Sequence, residues 1–203
     1  MPNASPSLLL SMTDGDTLGS ARAIRWAAVL FVTVLTAAAA QVSVPLPFTP
    51  VPLTLQPMVV LLGGAALGSR LGFSSQVLYL LAGLAGLPVF AASPLLPQGA
   101  LRLIGPTGGF LMAYPLAAFV TGRLAERGFD RRYLTSVAAM AAGLAVIFAS
   151  GLSWLTIQLT HAVGAQALQT ALQTGLYPFI VVDVVKLFVA GAVLPGVWKV
   201  LGR

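Results

Sequence analysis

The sequence predicts an all-α, polytopic membrane protein of six spanning helices with both termini in the cytoplasm, and three observations carry that reading. Apolar residues fill 58% of the 203 positions and charged residues only 8%. An ordinary soluble domain is roughly one quarter charged, so this chain cannot cover a water-facing shell, and a soluble enzyme is excluded. Apolar stretches recur at 26–44, 53–67, 73–87, 108–124, 133–157 and 176–198, the last interrupted by two charges. Basic residues then fall on alternate connections. Arg22 and Arg25 precede the first span, Arg70 lies between the second and third, Arg123, Arg127, Arg131 and Arg132 lie between the fourth and fifth, and Lys199 and Arg203 follow the sixth. Arg102 alone falls on the opposite side. This is the positive-inside pattern, so the net charge of +6 reflects membrane orientation and not affinity for nucleic acid.

Taken in order, residues 1–21 read as a flexible tail: Asp14 and Asp16 sit among Ser, Thr and Gly, and the leucines at 8–10 lack the basic flank of a signal peptide. Residues 22–203 then form the membrane domain. The first span carries small residues four apart, Ala23 with Ala27, Thr33 with Ala37 and Thr36 with Ala40, ridges that admit another helix closely, from the bundle or from a partner. The second and third spans, at about 15 residues, reach only about 22 Å, short of a hydrocarbon core of about 30 Å. Two outward loops, 42–52 and 88–107, contain four prolines each and no acid, and are expected to be extended and without helix. Folded inward, they would supply the missing depth over a polar cavity. The third outward segment, 158–175, carries Gln158, Gln166, Gln169 and Gln173 and reads as a surface helix.

Asp183 and Lys186 are the charges that interrupt the sixth span. Each costs about 2.5–3.5 kcal/mol at a helix centre, and their i,i+3 spacing sets both on one face, which must turn inward. They read as a polar ligand site, Asp183 accepting and Lys186 donating, with an interhelical structural pair as the alternative. Gly105-Pro106-Thr107-Gly108-Gly109 opens the fourth span. Thr107 is placed to cap that helix, and the amides of Gly108 and Gly109 with Arg102 suit a carboxylate; close glycine packing is the competing account. Gln41, Thr54 and Gln56 offer neutral hydrogen bonds, and Phe48, Phe90, Tyr79, Tyr114, Trp154 and Tyr177 are candidate walls for an apolar ligand body. His161 is the sole histidine and cysteine is absent, so no histidine or thiolate metal set is supported. Without a phosphate-binding loop of the Gly-x-x-x-x-Gly-Lys-Ser/Thr type, any ATPase is a separate chain.

Four pieces in this order resemble one family. They are 44–56, with Pro45, Pro47, Phe48, Pro50, Pro52 and Gln56; 79–90, with Tyr79, Gly83, Gly86, Pro88 and Phe90; 105–111, opening on Gly-Pro-Thr-Gly-Gly; and Asp183 with Lys186. The chain resembles the BioY family, the biotin-specific substrate-binding (S) components of prokaryotic energy-coupling-factor (ECF) transporters. The resemblance implies an S-component-like bundle in the prokaryotic inner membrane that binds biotin beneath the outer loops. It implies active import through a transmembrane coupling subunit and cytoplasmic ATPases, with no cofactor and no reaction catalysed. It marks Asp183 and Lys186 as the ligand pair of the last helix, and Thr33 and Ala37 as candidates for contact with the coupling subunit. Where the family often has a ligand-contacting asparagine after residues 88–91, Ala92 and Ser93 stand here, so Ser93 or Gln98 is the expected substitute. The expected contacts are Asp183 and Lys186 with the ureido ring, and Arg102, Gly108 and Gly109 with the carboxylate, the reverse orientation remaining open. Gln56, Phe48, Tyr177 and Ser93 complete the candidate set. Competing readings are an S component for thiamine or riboflavin, an intramembrane enzyme using the pair as acid and base on a lipid-like substrate, or a purely structural subunit.

Overall fold

The computed structural model describes residues 8–9, 18–93 and 97–201 of the chain. The described elements run α1 (Leu18–Gln41), β1 (Ser43–Val44), β2 (Leu53–Thr54), α2 (Gln56–Leu67), α3 (Ser69–Leu84), α4 (Ala100–Ile104), α5 (Gly108–Met112) and α6 (Tyr114–Ala125). A 3-10 turn (Phe129–Arg131), α7 (Tyr133–Val163), a second 3-10 turn (Gly164–Gln166), α8 (Ala167–Gly175) and α9 (Tyr177–Val200) follow. The six spans are α1, α2, α3, α5 with α6, α7 and α9.

Several boundaries differ from the sequence expectation, each for a local reason. Helix α1 starts at Leu18, four residues before the expected start of the membrane domain at 22. Leu8 and Leu9 are partly buried against the core, and the rest of the tail before Leu18 lies outside the described residues. At its other end α1 stops at Gln41, because Ser43 and Val44 pair with Thr54 and Leu53 in an antiparallel ladder. The fourth span is broken at Ala113: Pro115 in the first turn of α6 has no N–H to bond back into α5. The second outer loop, expected to lack helix, contains α4; its residues 100–104 hold no proline, are good helix formers and lie between Gly99 and Gly105. The third outward segment is divided, since α7 continues through Val163 and only α8 forms the separate outer helix.

Hydrogen bonds between distant elements sort the connections into two ends. At one end Glu126 Oε1 accepts from Ser69 N–H (2.7 Å) and Ser69 Oγ (2.8 Å), closing the start of α3 onto the end of α6. At the same end Trp198 Nε1 donates to Asp130 Oδ2 at 2.7 Å, fixing the end of α9 to the turn before α7. The opposite end gathers the outer loops: Thr49 Oγ1 donates to Thr174 O at 2.6 Å, and Gln158 Nε2 to Ile104 O at 2.8 Å. The basic connections therefore share one end and the proline-rich loops the other.

Helix α6 is the packing centre, lying on α2, α3 and α7. Backbones approach closely there: a Cβ on Gly64 would stand 2.5 Å from Ala118 O, and one on Gly122 would stand 2.6 Å from the Gly68 carbonyl carbon. With no hydrophobic drive between helices in lipid, such small-residue contacts supply the packing. At 12 and 16 residues, α2 and α3 rise only about 18 and 24 Å, and the inward-folded outer loops occupy the space above them. Large apolar side chains remain exposed along α1 (Trp26, Leu30, Phe31, Val34) and α9 (Val181, Val185, Val189), as a lipid-facing surface requires.

Candidate ligand-binding site

The two proline-rich loops form a roof. In the first, Val51 N donates to Thr49 Oγ1 at 3.1 Å while Thr49 holds Thr174 O, so Val51 and Pro52 turn toward the interior. In the second, the carbonyls of residues 88–91 are held by four side chains. Gln41 Nε2 donates to Pro88 O (3.3 Å) and Phe90 O (3.4 Å), Tyr79 Oη to Val89 O (3.2 Å), Gln98 Nε2 to Phe90 O (3.2 Å) and Arg102 Nη2 to Ala91 O (2.7 Å). Such satisfaction is what allows irregular backbone at membrane depth.

Beneath the roof lie two abutting lobes. Both are lined by Val51, Pro52, Thr54, Phe110 and Tyr114, which makes them one slot. Gln56, Ala91, Arg102, Thr107 and Leu111 complete the first lobe; Pro57, Ile147, Phe148, Phe179 and Asp183 are among the walls of the second. A guanidinium thus marks one end and a carboxylate the other, with aromatic and aliphatic walls between. At the first end Gln56, 2% exposed, donates from Nε2 to Tyr79 Oη at 2.6 Å. Thr107 Oγ1 is buried there and among the described residues has no hydrogen-bond partner, which leaves a hydroxyl for a ligand or water to satisfy.

At the second end Lys186 Nζ donates to Asp183 Oδ1 and to Thr54 O, each at 2.7 Å. Asp183 is 6% exposed, so its charge is compensated inside the bundle, and the i,i+3 pairing expected from sequence is present. Two of the three ammonium donors are used by these bonds, and among the described residues Asp183 Oδ2 receives none.

Other candidates stand elsewhere. Gly108 N donates to Gly105 O at 3.0 Å, so its amide is engaged. A Cβ on Gly108 would strike Leu103 O, and one on Gly109 the side chain of Trp154. Both glycines serve close packing, the competing account, and Thr107 makes no side-chain cap. Phe48 and Tyr177 are 61% and 60% exposed and do not line the slot. Ser93 is half-buried outside the lining, and Gln98 spends its amide on the loop backbone. Thr33 donates from Oγ1 to Val29 O and Ser75 O, both at 2.9 Å, joining α1 to α3, while Ala37 packs against the core. The ridge on α1 thus makes contacts within the bundle. The carbonyl of Thr54 and the apolar lining of Phe110 and Phe179 were not singled out from sequence. A backbone acceptor leaves no residue-type signal, and a lining phenylalanine has the pattern of a core one.

These features define a class: a predominantly helical, six-span membrane protein with a preformed polar slot under outer loops at one face. The chain belongs to the BioY family, whose description matches residues 12–203. It is 43% identical over 152 residues to the probable biotin transporter BioY of Pyrococcus horikoshii, covering 75% of this chain and 82% of that protein. It is 37% identical over 161 residues to the biotin transporter BioY of Thermotoga maritima, covering 79% and 88%. Its fold matches a crystal structure of the S-component for biotin from an ECF-type ABC transporter with a TM-score of 0.76, over 90% of this chain and 95% of that one, at 23% identity.

Proposed function

We propose that this chain is the biotin-binding membrane subunit of a vitamin importer of the inner membrane, with both termini cytoplasmic. It captures biotin at the extracellular face, and separate coupling and ATPase subunits energise uptake. The single observation that carries the reading is the slot with Arg102 in the lining of one end and Asp183, ion-paired with Lys186, in the lining of the other. Biotin has the matching polarity: a ureido group with two N–H donors and a carbonyl acceptor, an apolar thioether ring and aliphatic chain, and a terminal carboxylate. Asp183 accepts from the ureido N–H groups, the third Lys186 donor serves the ureido carbonyl, and Arg102 with Thr107 Oγ1 meets the carboxylate. Family membership and the biotin transporters among its relatives support the same ligand. The role is binding, not catalysis.

Titration calorimetry on the purified protein tests this. Saturable heat with biotin is expected. No heat with biotin, together with a signal for thiamine or riboflavin, would overturn the ligand and leave the fold intact.

A further inference from the structure

Two open apolar grooves on the membrane-facing surface lie apart from the slot. One is lined by Arg70, Phe73, Ser74, Leu116 and Phe119, between α3 and α6. The other runs between α1 and α3, from Trp26 and Val29 to Leu81. They meet at Phe73 and Ser74, which line both, and form a fork astride α3. Arg70 lies at the start of α3, one turn from that fork toward the basic end. Arg22 and Arg25 precede Trp26 and Val29 by four positions, which sets them on the same α1 face one turn nearer that end. All three arginines are exposed. The ion pairs among the described residues, Arg123 with Glu126 and Lys186 with Asp183, do not include them. Among the described residues the acid at the start of α3 is Glu126, which is already committed to Ser69 N–H, Ser69 Oγ and Arg123, so the balance among them stays positive. Trp26, 56% exposed near the same level, suits the headgroup boundary.

We propose that this surface binds one anionic phospholipid of the cytoplasmic leaflet. Its phosphate is held by Arg70 together with Arg22 and Arg25, and its two acyl chains lie in the two grooves on either side of Phe73. A basic mouth between spanning helices at the cytoplasmic boundary is the recognised chemistry for such headgroups. A protein helix laid in the grooves would match their apolar walls but would leave three arginines uncompensated.

The test is native mass spectrometry of the full chain released from mixed bilayers of phosphatidylglycerol and phosphatidylcholine with identical acyl chains. One phosphatidylglycerol is expected to be retained in preference. Arg70→Gln should lower the preference about fivefold and Arg22→Gln with Arg25→Gln should lower it further. Arg127→Gln with Arg132→Gln, on the connection between the fourth and fifth spans, should leave it unchanged. Equal retention of both lipids by the wild-type chain would overturn the proposal, whatever the variants do. So would an equal loss from the control pair, which would reduce the effect to diffuse surface charge. Loss of a co-purifying coupling subunit in Arg70→Gln without any lipid preference would assign the face to protein and overturn it as well.

Discussion

Lys186 Nζ lies 2.7 Å from the carbonyl oxygen of Thr54, 132 positions earlier in the chain, and so ties the last helix to the inner strand of the hairpin that roofs the slot. The same ammonium neutralises Asp183, so one side chain sets both the charge at the slot's end and the position of its cover.

Lys186→Met therefore has two separable effects. It leaves Asp183 buried without its cation, a loss of about 3–5 kcal/mol when one partner of a buried pair is removed, and it frees the hairpin. The melting temperature in detergent is expected to drop sharply, and calorimetric biotin binding is expected to vanish. Adding Asp183→Asn to Lys186→Met should recover much of the melting temperature, since the stranded charge is gone, without restoring binding. A double variant that binds like wild type would remove the pair from the site and leave it a structural tie.

The second outer loop rests on Phe90, which is fully buried with its ring edge-on to Tyr79 at 5.6 Å between centroids. The ring occupies the space that a Cβ on Gly83 would need. Gly83→Ala should expel Phe90 and loosen residues 88–91, read as faster hydrogen exchange at 88–91 and weaker biotin binding. Phe90→Ala, which leaves a cavity, should cost about 3–5 kcal/mol. Protected exchange in both variants would show that the loop is held by its carbonyl bonds alone.

How far the sequence discloses this arrangement depends on the kind of signal each part leaves. The spans and their common basic end follow from hydropathy and arginine placement, and Asp183 with Lys186 stands out because charge in lipid is costly. Arg102 is visible as the lone outward cation, and the structure buries it to 2% exposure at the opposite end of the slot. Spacing alone does not assign Thr33 and Ala37, because a small-residue ridge looks the same whether it meets α3 or a partner; in the structure Thr33 bonds to Ser75 O. Gly108 and Gly109 are ambiguous for a related reason. Glycine marks close backbone approach, but the sequence does not say whether a ligand or Trp154 does the approaching. Helix α4 escapes a proline count taken over the whole loop, because residues 98–105 contain none.

At the opposite end of the molecule, Asp130 and Trp198 are 2% and 1% exposed, and the Arg131 guanidinium lies 4.9 Å above the indole ring. Burial pushes the Asp130 carboxyl above its ordinary value of 3.8, against the opposing pull of the Trp198 hydrogen bond and the Arg131 charge. A carboxyl raised on folding favours the folded state when protonated, so its contribution is present below the unfolded value and is lost as pH rises through the folded one. Asp130→Asn keeps an oxygen for Trp198 Nε1–H and removes the buried charge. At neutral pH it should melt at or above the wild-type temperature, and the gap should close as acid protonates Asp130. Asp130→Ala removes the acceptor too, strands a buried indole N–H and should lose about 1–3 kcal/mol at every pH. Melting curves of the three proteins from pH 3 to 8 separate the effects. If Asp130→Asn is as unstable as Asp130→Ala at neutral pH, the ionised carboxylate itself holds the end of α9, and the cost of burying it is smaller than its bond to Trp198.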